Sequence, residues 1–296
     1  MSASAPKALW LAILGLLLLA GPALAGEIRA VATTSILGDV VREVAGELVD
    51  LAVLFPPDTD PHTFEPTPQE VALLARADVV FVCGAGLEAA LEPLLGLARR
   101  VVSVSEGIPL RVFADGRVDP HVWLDPMNVA VWAENVAAAL VDLDPSHAEG
   151  YRARAAAYRR KLEELDAWIR TEVEKVPEER RILVVDHLAF GYFAARYGFR
   201  QAAAVLPGFS TLAEPSAREL AALEEKIREL AVPAIFVAHT TTSPLVERIA
   251  DDTGVRVVRL YVGALSGPEG PAPTYLDLMR QLVLSIVAAL GGEDAG

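Results

Sequence analysis

One continuous helical pattern of about 30 residues divides this sequence into two halves and limits the folds that it can adopt. From Pro145 to Lys175 the only glycine is Gly150, and the next proline is Pro177. Asp144 and Pro145 form a favourable pair for an N-cap and a first helical turn. Apolar residues recur along the segment at helical spacing, at Tyr151, Tyr158, Leu162, Leu165, Ile169 and Val173. A helix of this length, roughly 45 Å at 1.5 Å per residue, can join two lobes.

On both sides of this helix, short β-branched runs alternate with amphipathic helical patterns, which is typical of parallel sheets covered by helices. The alternation restarts cleanly after the helix, which disfavours an ordinary surface helix within one domain. The sequence therefore predicts an α/β fold with two lobes, each a parallel sheet flanked by helices, joined by one long helix. Strands are predicted at 28–33, 49–54, 79–82, 101–104, 182–185, 203–205, 234–237 and 255–260. Helices are predicted at 36–45, 68–75, 188–197, 216–230, 243–252 and 274–289.

The first residues have the pattern of an export signal. Lys7 precedes an apolar run, and Ala23-Leu24-Ala25 is a small-x-small cleavage pattern. We expect cleavage near Ala25, with an uncleaved anchor as the alternative. No cysteine closely follows the apolar run, so we expect no lipid anchor and a periplasmic location. The predicted organisation is a signal peptide at 1–25, an N-terminal lobe at 26–143, a linking helix at 144–176 and a C-terminal lobe at 177–296.

The charge of the chain argues against several classes of partner. The formal net charge is −14, whereas nucleic acids and anionic membranes bind surfaces with clustered Lys and Arg. An acidic protein is compatible with attracting cations. The one cysteine, Cys83, lies in an apolar run, so we expect no internal disulfide and a small buried side chain. We expect a monomer that does not bind nucleic acid.

The histidines are few and most of them lie in loops. Four of the five follow a predicted strand or lie at a turn, namely His62, His121, His187 and His239. Ligands of open α/β sheets bind beyond the carboxyl ends of the strands, which favours a shared site. The fifth, His147, lies in the first turn of the long helix among polar residues and is expected to be exposed.

Imidazole nitrogen is a favoured ligand of zinc, and three or four histidines suit a tetrahedral ion at about 2.0–2.1 Å. The sequence therefore predicts a metal site formed by His62, His121, His187 and His239, although any single histidine is more often structural. Protons should compete with the metal as the pH falls through the imidazole range. Nearby carboxylates could accept the second ring N–H and fix the tautomer: Asp60, Glu65, Asp119, Asp125 and Asp186.

Known catalytic patterns find little support, so we predict no catalytic residues and no enzyme. The sequence contains no His-Glu-x-x-His, no Gly-x-Ser-x-Gly and no P-loop. Gly84-Ala85-Gly86 lacks the rest of a dinucleotide-binding fingerprint. A metal-dependent hydrolase stays open as an alternative, because three histidines also describe catalytic zinc.

Three segments resemble the zinc- and manganese-binding solute-binding proteins of bacterial ABC importers, of the long-helix class. They are Asp60-Pro61-His62-Thr63-Phe64-Glu65-Pro66-Thr67-Pro68, Asp119-Pro120-His121-Val122-Trp123-Leu124-Asp125-Pro126, and Asp186-His187-Leu188-Ala189-Phe190-Gly191-Tyr192-Phe193. The resemblance spans the chain beyond the signal segment. It implies a metal held between two lobes by His62, His121 and His187 and handed to an ABC transporter membrane permease.

The same resemblance bears on the metal and on further partners. The family commonly has His at the position of His187 in zinc carriers and Glu in manganese carriers, so the resemblance implies transported Zn²⁺, with Mn²⁺ or iron as alternatives. The usual fourth ligand is an Asp where this chain has Gly263. The histidine-rich loop of many zinc carriers is also missing, which weakens the expectation of a periplasmic metallochaperone as a partner. An adhesin is the remaining alternative.

Gly263 leaves the fourth ligand open. We predict that His239 binds the metal or supports a ligand, with a hydrogen bond to the neighbouring Thr240-Thr241-Thr242 run as the alternative. A water molecule would complete the site if His239 has neither metal role.

Overall fold

The structure is a computed structural model that describes residues 27–113, 116–206, 208–212, 214–241 and 243–291. The predicted signal peptide lies outside these residues. Within the described part of the chain, no helix combines the length and the apolar character needed to cross a membrane.

Eight strands of the described residues form two four-stranded parallel sheets with the same topology. The strand order is β2-β1-β3-β4 in the first sheet and β6-β5-β7-β8 in the second. In both, the connections change direction next to the first strand of the sheet, which places a binding crevice at the carboxyl ends of the strands. The predicted two-lobed α/β fold is confirmed. The strands are β1 (Ile28–Thr34), β2 (Val49–Phe55), β3 (Val79–Val82), β4 (Val101–Ser103), β5 (Ile182–Val185), β6 (Arg200–Ala204), β7 (Ala234–Ala238) and β8 (Arg256–Leu260).

Polar caps fix where several helices begin. The side chains of Thr34, Thr67, Ser216 and Thr274 each accept a hydrogen bond from a backbone N–H of the first helical turn, which satisfies a donor that the helix leaves unpaired. The helices of the described residues are α1 (Ser35–Ala45), α2 (Pro68–Arg76), α3 (Glu92–Leu95), α4 (Pro126–Leu143), α5 (Ala148–Val173), α6 (Gly191–Tyr197), α7 (Ala217–Leu230), α8 (Pro244–Thr253) and α9 (Tyr275–Leu290).

The long helix is α5, which follows a 3₁₀ turn at Pro145–His147. Its 26 residues extend about 39 Å at 1.5 Å per residue. It packs on α1 and α4 of the first lobe and on α9, and α9 also contacts α1, β7 and β8. The largest group of mutually packed buried side chains therefore runs from the first sheet through α5 to the second sheet. This shared core fixes the relative position of the loops that meet between the lobes.

The structure differs from the sequence-based expectations at several places. The 18-residue helix α4 was not predicted, although Asp125-Pro126 is the same type of start as Asp144-Pro145. Much of its surface is buried, so its apolar pattern is broad and less periodic. Strand β6 begins at Arg200 rather than at 203, and α6 begins at Gly191 rather than at 188. The backbone before α6 is held instead as a loop, in which Leu188 N donates to the carbonyl oxygen of Gly208.

Candidate metal centre

Three of the four histidines predicted as metal ligands converge where the two lobes meet. His62 lies in the loop after β2, His121 lies between β4 and α4, and His187 lies shortly after β5. Nε2 of His121 is 3.1 Å from Nε2 of His62 and 3.2 Å from Nε2 of His187. The ring centroids form a nearly equilateral triangle with sides of 5.1, 5.2 and 5.3 Å. The arrangement can bind one ion through three imidazole nitrogens.

The three rings differ in their exposure to solvent. His121 and His187 are 1% and 3% exposed, whereas His62 is half-buried. A cavity of about 560 Å³ lies beside His62, with Leu110 of the first lobe and Phe209 of the second among the residues that line it. An ion that approaches through this cavity would meet His62 first.

An aspartate holds each of the two buried rings through its second nitrogen. Asp119 Oδ1 is 2.9 Å from Nδ1 of His121 and accepts the backbone N–H of the same residue at 3.0 Å. Asp186 Oδ1 makes the corresponding contacts with His187 at 2.9 and 2.8 Å. When the carboxylate accepts a hydrogen bond from Nδ1–H, the proton of the neutral ring stays on Nδ1 and the Nε2 lone pair is free for a metal.

Asp186 also ties His187 to the strand beside it. Its second oxygen accepts the backbone N–H of Ala238 at 3.0 Å and the hydroxyl of Thr241 at 2.7 Å. The carboxylate is 1% exposed, and these donors replace the water that it loses on burial. The position of His187 is thus fixed by β5 and β7 together.

His62 is held differently. Asp60 Oδ1 accepts the backbone N–H of His62 at 2.9 Å, and its other oxygen accepts the hydroxyl of Thr211 at 2.6 Å. Thr211 belongs to the second lobe, so this bond joins the His62 loop to the opposite side of the cleft. No carboxylate of the described residues contacts Nδ1 of His62, and the position of its ring depends on the position of its loop.

The other two carboxylates considered from the sequence have other surroundings. Asp125 caps α4 by accepting the N–H of Met127 and pairs with Arg196 at 3.1 Å. Glu65 is exposed.

Burial and charge separate the protonation behaviour of the three rings. Burial, reinforced by the charge of His187, lowers the pKa of His62 to about 4. Burial also lowers the pKa of His121 well below its ordinary value. Burial alone would lower the pKa of His187, but the charge and hydrogen bond of Asp186 outweigh it, so that pKa is raised. His187 is the ring that holds a proton most readily, and its Nε2–H can then donate to His121.

The carboxyl of Asp119 is the second group of the site that is readily protonated. Burial raises its pKa to about 7. Its Oδ2 atom is buried and has no hydrogen-bond partner among the described residues. Since Asp119 contacts Nδ1 of His121, a cation on that ring would favour the ionised carboxylate.

The structure places His239 outside this cluster. Its Nε2 atom is 3.1 Å from Oδ1 of Asp58, and its ring lies against the ring of Tyr261 with centroids 3.9 Å apart. Within the described chain, the group of side chains whose ligand atoms lie close enough to hold an ion consists of the other three histidines. Of the threonines considered as alternative partners of His239, Thr242 lies outside the described residues, and the hydroxyl of Thr241 donates to Asp186 instead.

The remaining positions considered from the sequence are His147 and Gly263. His147 is exposed, as expected, with a side chain 51% accessible. Gly263 lies directly beside the His62 loop, because a Cβ atom added there would be 3.1 Å from Cδ of Pro61. This position is therefore next to the site, and any side chain there would press on Pro61.

Sequence reasoning missed Trp123 as a support of the site. Its buried ring meets the ring of His121 edge to face, with centroids 5.2 Å apart. Its indole N–H donates to the carbonyl oxygen of Val262 at 2.8 Å, which joins the His121 loop to the second lobe. The available signal was its place two residues after His121 in a loop fixed by prolines.

Two α/β lobes with histidines that converge between them are the features of a metal-binding protein of the solute-binding type. The family described as zinc-uptake complex component A, periplasmic, matches residues 30–289. The chain belongs to this family, and the resemblance noted from its motifs is confirmed.

Curated relatives of the chain include proteins named for three different metals. The manganese-binding lipoprotein MntA of Halalkalibacterium halodurans is 34% identical over 269 residues, covering 89% of this chain and 88% of MntA. The iron-binding protein YfeA of Yersinia pestis is 31% identical over 274 residues, covering 90% and 88%. The zinc-binding protein TroA of Treponema pallidum is 34% identical over 280 residues, covering 90% and 89%. The solved structure of TroA superposes with a TM-score of 0.83 at 31% identity and covers 90% of this chain and 99% of that one.

Proposed function

We propose that the protein captures zinc in the periplasm through His62, His121 and His187 and delivers it to an ABC transporter permease. The observation that carries the proposal is the convergence of three Nε2 atoms, two pairs of which are 3.1 and 3.2 Å apart. Tetrahedral zinc with bonds of about 2.0–2.1 Å places neighbouring nitrogens about 3.3–3.4 Å apart. The observed spacing needs only a small adjustment to hold zinc.

The chemistry of the donors supports zinc over manganese. The cluster of the described residues contains imidazoles and no carboxylate, and manganese favours carboxylate, carbonyl and water oxygens. Gly263 offers no fourth side chain, so a water molecule is proposed to complete the coordination. A manganese or iron carrier of the same fold is the second candidate, and the names of MntA and YfeA favour it.

Location and delivery rest on the N-terminal pattern and on the family. TroA is described as periplasmic and MntA as a lipoprotein, which supports action outside the cytoplasm. The monomeric state and a metallochaperone partner stay predictions. Fractionation of producing cells would test the location, with the protein expected in the periplasmic fraction.

Metal competition tests the proposed function directly. The metal-free protein, dialysed against equal free concentrations of zinc, manganese and ferrous iron, should retain about one zinc per chain, because zinc forms stronger complexes than either ion in the usual affinity order. The measurement is elemental analysis of the protein after dialysis. Retention of manganese or iron in place of zinc would favour the second candidate. Metal-dependent hydrolysis of an ester, peptide or phosphate would favour a hydrolase instead.

Zinc binding is expected to release about one to two protons per ion near pH 7. His187 holds a proton to higher pH than a free histidine, and the pKa of Asp119 is about 7. Both protons oppose the metal, so affinity should fall as the pH falls. His62 should add to this competition only near its pKa of about 4. The protons are counted by titration calorimetry in buffers of different ionisation enthalpy.

The control for this experiment is Asp119→Asn, which removes a titrating group beside His121 and should reduce the number of protons released. Three protons per zinc near pH 7 would contradict the separation of the three histidines by burial and charge. A count unchanged in Asp119→Asn would exclude the contribution of that carboxyl.

A further inference from the structure

Asp58 has a backbone conformation that side chains seldom adopt. Its φ angle is 59°, in the left-handed region where only Gly, and less often Asn or Asp, is found regularly. Such a conformation persists where the surrounding structure fixes it. Asp58 lies four residues before His62 in the same loop.

The contacts that fix Asp58 all come from the second lobe. Its backbone N–H donates to the carbonyl oxygen of Leu265 at 2.9 Å. Its carboxylate accepts the backbone N–H of Gly267 at 3.2 Å on one oxygen and contacts Nε2 of His239 at 3.1 Å on the other. A residue of the first lobe is therefore bound at three points to loops of the opposite lobe.

His239 is arranged to serve this contact. It follows β7, its backbone N–H donates to the carbonyl oxygen of Leu260 at 2.8 Å, and its ring rests on Tyr261. Its Nδ1 atom is buried without a hydrogen-bond partner in the described part of the chain. A neutral ring with its proton on Nε2, whose N–H donates a hydrogen bond to Asp58, accounts both for the contact with Asp58 and for the Nδ1 atom that has no partner. Asp58 therefore sets the direction of this ring.

The contact between Asp58 and His239 involves the loop that carries His62. His121 and His187 each have an aspartate on Nδ1, whereas His62 is held through its loop. That loop is joined to the second lobe by Asp60 with Thr211 and by Asp58 with His239. His62 is also the half-buried ring beside the cavity, so an ion that leaves through this cavity passes His62.

We propose that Asp58 and His239 are positioning residues that latch the His62 loop to the second lobe and thereby slow the release of the bound metal. The inference rests on the proposed metal-binding function. His239 then acts on the metal through the His62 loop and not as a ligand. Breaking the latch should let His62 leave the other two rings more often, which shortens the time that the ion stays bound.

The test uses two single variants and their combination. Asp58→Gly removes the carboxylate and suits the positive φ, and His239→Phe keeps a ring on Tyr261 but removes the donor. Release is timed by mixing the zinc-loaded protein with excess chromophoric chelator in a stopped-flow instrument. Each variant should release zinc about 10–100-fold faster, by analogy with the loss of metal affinity known for residues that support a ligand without binding the metal. The double variant should be no faster than the faster single one, because both break the same contact.

A rescue variant separates positioning from a structural role. Asp58→Asn keeps an acceptor oxygen for His239 and tolerates the left-handed conformation, so its release rate should be closer to that of the unchanged protein. The melting temperatures of the metal-free variants should differ little from one another. Release rates unchanged in both single variants, additive effects in the double variant, or a failure of Asp58→Asn to rescue would each overturn the latch. If the protein without any substitution bound no zinc, the proposed function would be overturned instead.

Discussion

Replacement of His121 by alanine is expected to lower the zinc affinity by more than about 100-fold, beyond the range for loss of a residue that only supports a ligand. Nε2 of His121 lies next to the Nε2 atoms of both other histidines. Its removal leaves two ligands and also leaves the buried carboxylate of Asp119 without its ring partner, which is unfavourable. Affinity is measured by competition with a chromophoric chelator of known zinc affinity.

Two further variants serve as controls for His121→Ala. His147→Ala changes an exposed histidine that contacts Asp144, three positions before it, and does not belong to the three-histidine cluster, so it should leave the affinity unchanged. Asp119→Asn keeps the His121 ring but weakens its support, so a smaller loss of about 10–100-fold is expected. An affinity of His121→Ala equal to that of His147→Ala would show that the converging histidines are not the metal site.

Zinc is expected to raise the melting temperature of the metal-free protein strongly. Free zinc at about a thousand times its dissociation constant stabilises the folded state by roughly 4 kcal/mol. At roughly 2–4 °C per kcal/mol for a chain of this size, the shift is about 8–16 °C. The physical reason is that the ligands come from both lobes, so an ion bound to all three opposes their separation. Calorimetric melting with and without zinc measures the shift.

His121→Ala is the matched control for the melting experiment, since it should lose most of the shift while it keeps the rest of the fold. A shift of equal size in this variant would indicate that zinc stabilises the protein at another place. Absence of a shift in the unchanged protein at saturating zinc would contradict a ligand that prefers the folded state.

Patterns between near neighbours in the sequence predicted most of the secondary structure. The strands at Val79–Val82 and Ile182–Val185 and the helix that follows Thr67 depend on β-branched runs and on side-chain caps. Each of these interactions joins residues a few positions apart, so the sequence contains them in readable form. Helix α4 escaped prediction because burial on much of its surface removes the periodic signal.

The sequence by itself also determined which residues could bind a metal, since imidazoles in proline-fixed loops after strands are few in this chain. It did not determine which of them meet. His62 and His121 are 59 positions apart, and Asp58 and His239 are 181 positions apart. A histidine of one loop therefore belongs to the three-histidine cluster, whereas a histidine of another loop makes an interlobe contact.

Tertiary structure also decided the chemistry of the individual rings. His62 and His187 have the same ordinary pKa, yet burial lowers the first to about 4, and the charge of Asp186 raises the second. These shifts depend on the solvent and charges around each ring once the lobes have packed through α5 and α9. Local sequence fixes the elements and the available donors, whereas only the packing of distant loops fixes the distances between the donors, their protonation and the side of the site that faces the cavity.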